Sequence, residues 1–86
     1  MNSFEILQLA KWRGEVMMPL TMAAANEINY IKKVGGNSEV KRHLETLGFV
    51  TGGKVRVISR LNGNLIVSIK DSRVAISKEM ANKIMV

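Results

Sequence analysis

Gly36-Asn37-Ser38-Glu39-Val40-Lys41-Arg42-His43-Leu44-Glu45-Thr46-Leu47-Gly48-Phe49-Val50-Thr51-Gly52-Gly53 is the stretch on which the reading of this chain turns. It has the marks of one capped helix. Asn37 or Ser38 can accept from the free N–H groups of a first turn, and Glu39 sets an anion beside the positive end of the helix dipole. Gly48 closes a helix at low steric cost in the left-handed conformation, which brings Phe49 within reach of Leu44 one turn back. Val40, Leu44 and Leu47 fall at i, i+4 and i+7 on one apolar stripe, while Lys41, Arg42, Glu45 and Thr46 lie off it. The helix therefore has a single face to bury. The segments on both sides read as strand, so it is an insert within a sheet.

Upstream, Glu27 to Val34 is rich in β-formers, but Ile28, Tyr30, Ile31 and Val34 do not alternate cleanly, the pattern of a bent or bulged strand. Asn26, which tolerates positive φ, makes the turn before it, and Pro19 to Asn26 is expected to be an extended entry. Residues 1–17 form an N-terminal extension with Phe4, Ile6, Leu7, Leu9 and Ala10 behind a cap at Ser3. Two readings stand for it: a short docked helix ending near Arg13-Gly14, or a disordered leader before a functional start near Met17-Met18. No basic residues precede its apolar run and no small-x-small cleavage site follows, so export is not expected.

Downstream, Val50 to Gly53 is a turn, after which Val55, Val57, Ser59 and Leu61 alternate against Lys54, Arg56, Ile58 and Arg60, giving a strand with one inward face. At Asn62-Gly63-Asn64 a two-residue loop would pair Leu61 with Asn64 and set Val57 opposite Ser68. A three-residue loop pairs Leu61 with Leu65, Ser59 with Val67 and Val57 with Ile69. The apolar matches favour the latter, with Asn64 left-handed. Asp71-Ser72 is the next turn, Arg73 to Ser77 a short strand with Val74 and Ile76 inward, and Ser77 caps one helical turn over Lys78 to Ala81. Ile84 to Val86 closes the chain. The fold class is thus mainly β with one inserted helix, a small, partly open barrel of about five strands.

At 86 residues and 47% apolar content, the chain suits one domain with one core. The absence of cysteine excludes disulfides and thiolate chemistry. A net charge of +6 favours acidic partners, and since Lys11 and Arg13 balance Glu5 and Glu15, all of that excess lies in residues 18–86. No apolar run approaches the roughly 18 residues that span a bilayer.

Catalysis and metal binding need convergent groups, and the sequence supplies none. His43 is the only histidine and sits at the edge of the helix stripe. Glu39 and Glu45 are six apart on the helix, with Asp71 and Glu79 on other elements, so no hard-cation cage is expected. Six scattered methionines read as core fillers. There is no Gly-x-x-x-x-Gly-Lys-Ser/Thr run for a nucleotide phosphate. Neither cofactor nor metal is expected, and no enzyme activity. One alternative is nucleic-acid binding through Lys54, Arg56, Arg60, Lys70 and Arg73 with Lys41 and Arg42, but so few aromatics leave little for base stacking, and nucleic acid is not the expected partner.

From residue 18 to residue 86 the order of strand, capped helix, Leu47-Gly48-Phe49 corner, Gly-containing turn and basic Val55-x-Val57 strand resembles the FeoA family, ferrous iron transport protein A. The likeness rests on Lys41, Arg42, Leu44, Leu47, Gly48, Phe49, Gly52, Val55, Val57, Ala75, Ile76 and Ile84. It departs at Asn26 and Thr51, where the family more often has Gly and Pro, and at His43, where a further basic residue is common. The resemblance implies an SH3-like domain over 18–86, shared with the C-terminal domains of metal-dependent repressors. It also implies a cytoplasmic, non-enzymatic adaptor that regulates ferrous iron uptake by docking on the membrane G-protein transporter FeoB; a regulator-like SH3 role is the other alternative. Iron handling need not mean iron binding. The surface expected to dock is Lys41, Arg42 and Glu45 with the corner Val50-Thr51, held in place by Leu44, Leu47, Gly48, Phe49 and Gly52.

Overall fold

The computed structural model describes residues 17–86. The expected Ser3 cap and the short helix or leader behind it lie outside the described residues. From Met17 onward the chain runs through a 3-10 turn (Leu20–Met22), β1 (Ile28–Tyr30), β2 (Lys33–Val34), helix α1 (Ser38–Leu47), β3 (Lys54–Leu61), β4 (Asn64–Ile69), β5 (Ser72–Ser77), a single turn α2 (Lys78–Ala81) and β6 (Ile84–Met85). The fold is mainly β with one inserted helix, as the sequence pattern requires. Its strands number six because the Glu27–Val34 segment divides at Ile31, giving β1 to one sheet and β2 to another.

The larger sheet is antiparallel in the order β1-β3-β4-β5, and β2 pairs with β6 in the smaller one. The smaller sheet also draws in the start of the domain. Met18 and Val86 exchange both backbone hydrogen bonds (2.9 and 2.8 Å), and Pro19 bridges Met85. Pro19 to Asn26 is not wholly extended: Pro19 precedes a 3-10 turn that buries Leu20 completely, a place where its fixed φ and missing N–H cost nothing. Asn26 takes the expected left-handed conformation (φ 67°).

Between the sheets and α1 lies one apolar core in which Leu20, Ile31, Leu44, Phe49, Val55, Val57, Val67, Ile69 and Ile84 are almost wholly buried. No buried polar or charged residue occurs among the described residues, so dispersion and the hydrophobic effect hold this interior, at about 1.5–3 kcal/mol for each large side chain. Val40, Leu47, Val74 and Met80 close its rim.

Two hairpin expectations are corrected. The β3–β4 loop has two residues, Asn62 and Gly63, both left-handed (φ 50° and 80°), and it pairs Leu61 with Asn64. That is the Asn-Gly type I′ turn, whose twist matches the strands it joins. Val57 nevertheless faces Val67 and not Ser68, because Ile58 is an extra residue in β3: the register shifts between Val57 and Ser59. A bulge thus gives Val57 an apolar partner, but Val67 in place of the Ile69 that a three-residue loop would have set opposite it. It also exchanges the faces beyond it, leaving Ser59 and Leu61 exposed and turning Arg60 towards the 3-10 turn. There Arg60 Nη2 donates to the carbonyls of Thr21 (3.0 Å) and Ala23 (2.5 Å). In the second hairpin the loop is Lys70-Asp71 and not Asp71-Ser72, with both residues left-handed (φ 48° and 63°) and Ser72 already in β5. Ile76 is buried and Val74 half-buried, as their inward assignment requires, and Ser77 caps α2 by accepting from the Met80 N–H at 3.2 Å.

Candidate partner-binding surface

Helix α1 begins and ends on side-chain chemistry legible in its sequence. Of the two possible caps, Asn37 is used: its Oδ1 accepts from the Val40 N–H at 2.9 Å. At the other end Gly48 is left-handed (φ 108°), its N–H donating to the Glu45 carbonyl at 3.0 Å while the Phe49 N–H donates to the Leu44 carbonyl at 2.9 Å. These two bonds make a Schellman closure, with Leu44 and Phe49 both fully buried as its apolar contact. Leu47 is half-buried on the same stripe.

Lys41, Arg42 and Glu45 are exposed, with Lys41 and Glu45 one turn apart on the solvent side, and His43 is exposed beside them. The corner after the helix is tied from two directions. Gly53 N–H donates to the Val50 carbonyl (2.9 Å), and Gly52 N–H donates to the Ile31 carbonyl (2.7 Å), whose own N–H returns to the Gly53 carbonyl (2.9 Å). Gly52 is left-handed at φ 86°, so the turn suits glycine there. Val50 is half-buried and Thr51 exposed, at the tip of a loop whose backbone is fixed to the strand segment between β1 and β2. An exposed charged helix flank thus runs into a pinned corner.

A second surface was only half legible. Alternation along β3 puts Lys54 and Arg56 on its outer face, but their neighbours come from register: Tyr30 stands opposite Lys54 and Ile28 opposite Arg56. Ile28 is 52% exposed and Tyr30 60%. Beside this block opens a trough of about 460 Å³ whose lining includes Ile28, Lys54, Arg56, Ser68 and Lys70. Arg60, grouped with these cations on sequence alone, is turned away by the Ile58 bulge.

Among the described residues no three His, Cys, Asp or Glu side chains come together in a way that could hold a metal ion. Of the methionines, Met18 and Met80 do pack on the core, whereas Met22 is 70% exposed and fills nothing. Among the described residues no helix is long and apolar enough to cross a membrane.

A small, mainly β domain of two antiparallel sheets with one inserted, capped helix belongs to the class of SH3-like folds. The FeoA domain matches residues 18–86, and the chain belongs to the FeoA family, the accessory proteins of ferrous iron transport. It is 37% identical over 70 residues to a Methanocaldococcus jannaschii protein provisionally named Fe(2+) transport protein A, covering 81% of this chain and 85% of that one. A crystal structure of an iron uptake regulatory protein (FeoA) superposes with a TM-score of 0.75 at 25% identity, covering 83% of this chain and 96% of that one. Stenotrophomonas maltophilia FeoA, described as a procaryotic SH3 domain protein and solved with zinc, gives 0.69 at 25% identity over 78% of this chain and 86% of that one. A manganese-dependent transcriptional repressor shares the fold at 18% identity, with a TM-score of 0.75 over 81% of this chain and 40% of the repressor.

Proposed function

We propose that this protein is a cytoplasmic, non-enzymatic adaptor of ferrous iron uptake that docks on the cytoplasmic part of a FeoB-type transporter, with residues 18–86 as the docking domain. The transporter supplies the pore and the nucleotide site, and ferrous iron is the cargo. The observation that carries this reading is the joining of an exposed, mostly cationic helix flank, Lys41, Arg42 and Glu45, to a corner at Val50-Thr51 whose backbone is fixed by hydrogen bonds to Ile31. A rigid platform of this kind binds without much ordering cost, and recognition is the chemistry that such a surface offers. Zinc accompanies the Stenotrophomonas relative; among the described residues here no three His, Cys, Asp or Glu side chains come together to hold a metal ion.

The test is the double reversal Lys41→Glu with Arg42→Glu in cells whose ferrous iron uptake depends on the transporter. The folded variant is expected to associate more slowly with the transporter and to lower uptake. Wild-type binding and uptake would remove the helix flank from the surface. Nucleotide hydrolysis by the purified domain would remove the adaptor reading itself.

A further inference from the structure

On the outer face of the larger sheet, β1 and β3 place a two-by-two block of side chains: Ile28 beside Arg56, and Tyr30 beside Lys54. The cations form one row and the two exposed apolar side chains the other. Along each row the spacing is that of residues i and i+2 in a strand, about 7 Å. Lys70, held in the left-handed β4–β5 turn, adds a third cation across the trough that runs beside this block. Of the residues lining the trough only Asp71 is acidic.

We infer that this trough is a recognition site for an extended acidic segment of a protein partner, one in which acidic and apolar side chains alternate. An extended chain laid edge-on along the boundary between β1 and β3 sends successive side chains to opposite sides, so carboxylates at i and i+2 meet Arg56 and Lys54 in step while the apolar side chains between them turn towards β1. Lys70 meets the backbone or a further carboxylate from the other wall, and apolar side chains close on Ile28 and Tyr30. Guanidinium and ammonium groups pair with carboxylates by charge-assisted hydrogen bonds, which supplies direction as well as attraction. The volume, about 460 Å³, lies in the range of sites that hold a few side chains. Single-stranded nucleic acid fits less well, because among the described residues Tyr30 is the one aromatic ring on this face and a base-stacking platform needs more. A bilayer offers a flat array of headgroups, which does not enter a trough walled by Lys54, Arg56 and Lys70. The site shares no residue with the helix flank, so it stands or falls separately from the docking reading above.

The probe is a short fluorescein-labelled peptide in which glutamate alternates with valine. Its controls are a glutamine version and a scrambled version with the glutamates contiguous. Titration into the 15N-labelled full chain is expected to move the amides of Ile28, Tyr30, Lys54, Arg56 and Lys70. Lys54→Gln with Arg56→Gln is expected to weaken binding about tenfold or more, and Tyr30→Ser to weaken it without altering its salt dependence. Lys78→Gln with Lys83→Gln, which removes the same charge from exposed residues outside the trough, is the control that leaves binding nearly unchanged. Equal binding of the scrambled peptide would overturn the site, as would shifts spread evenly over Lys41, Lys78 and Lys83. Displacement of the peptide by single-stranded oligonucleotide or phosphatidylserine vesicles at lower concentrations than unlabelled peptide would also overturn it, in favour of those partners.

Discussion

Lys70 lays the aliphatic part of its side chain over the α-carbon of Gly48: a methyl group built on that glycine would stand 3.4 Å from Lys70 Cδ and 3.5 Å from Ile69 Cγ1. The contact joins two left-handed residues, one closing helix α1 and the other opening the β4–β5 turn. Helix α1 has no basic residue in its last turn, and the aliphatic stem of Lys70 covers that end from the neighbouring turn. A lysine at φ 48° carries a conformational cost, and this packing offsets it.

Gly48→Val is accordingly expected to cost about 2 kcal/mol or more, combining the left-handed penalty on a β-branched residue with displacement of Lys70 and Ile69. Thr46→Ala is the contrast. Thr46 is exposed, and its hydroxyl only donates back to the Arg42 carbonyl at 2.9 Å, so the change should stay within about 0.5 kcal/mol. Thermal melts check the pair: coinciding curves would dissolve the link between the helix stop and the turn.

The turn itself separates strain from packing. Asp71→Gly and Lys70→Gly each relieve a left-handed non-glycine residue, but only the second removes a side chain that covers Gly48. Asp71→Gly is expected to stabilise by up to about 1 kcal/mol and Lys70→Gly to destabilise, with denaturant midpoints moving in opposite directions at unchanged slope.

Local chemistry made the helix and its caps readable, because capping, left-handed closure and a one-sided stripe all operate within a few residues. The second turn was legible on the same ground, in Ser77 before Lys78. What stayed hidden depended on residues far apart. The Glu27–Val34 segment looked bent, but its division between two sheets is decided by its partners, Lys54 to Arg56 for β1 and Ile84-Met85 for β2. In β3, alternation and loop type point to conflicting registers, and the apolar matches alone favour a longer loop. A bulge at Ile58 satisfies both, and no local signal marks it, since isoleucine is an ordinary strand residue. The same bulge removed Arg60 from the outer basic face. The helix flank was visible as residues off a stripe; the block of Ile28, Tyr30, Lys54 and Arg56 required the register between strands.

Asn29 carries the one buried side-chain polar atom without a partner among the described residues, its Nδ2. It stands opposite Val55 on the inward side of β1. Asn29→Val removes a desolvated donor and adds a β-branched cross-strand partner, so it is expected to stabilise by about 1 kcal/mol, or about 4–8 °C in Tm for a domain of this size. A lowered Tm would mean that the amide meets a partner, such as water, that the side chain's surroundings admit.

Truncation should act asymmetrically. Deleting residues 1–16 leaves every described element and is expected to preserve cooperative unfolding and a dispersed amide spectrum. Deleting residues 84–86 removes the buried Ile84 and Val86, the partner strand of β2 and the paired hydrogen bonds to Met18. That loss is comparable with the whole stability of a small domain, and cooperative unfolding should disappear. Intact folding of the second truncation, or unfolding of the first, would redraw the domain boundary at residue 18.

At the proposed docking surface the charged flank and the pinned corner should contribute differently. Lys41 and Arg42 are exposed on α1, where long side chains in high dielectric steer an approaching acidic face and hold it weakly. Val50 is half-buried on a backbone fixed through Gly53 and Ile31, the setting in which a contact excludes water and slows release. Lys41→Glu with Arg42→Glu is therefore expected to lower the association rate about tenfold or more at low salt, with an effect that fades as ionic strength rises and leaves dissociation nearly unchanged. Val50→Asp is expected to do the reverse, speeding dissociation from the transporter's cytoplasmic part while the salt dependence of association stays as in the wild type. Surface plasmon resonance at two ionic strengths separates the two. If both variants altered only association, the corner would be part of the electrostatic field and not an anchor; if neither altered either rate, the partner would dock elsewhere on the domain.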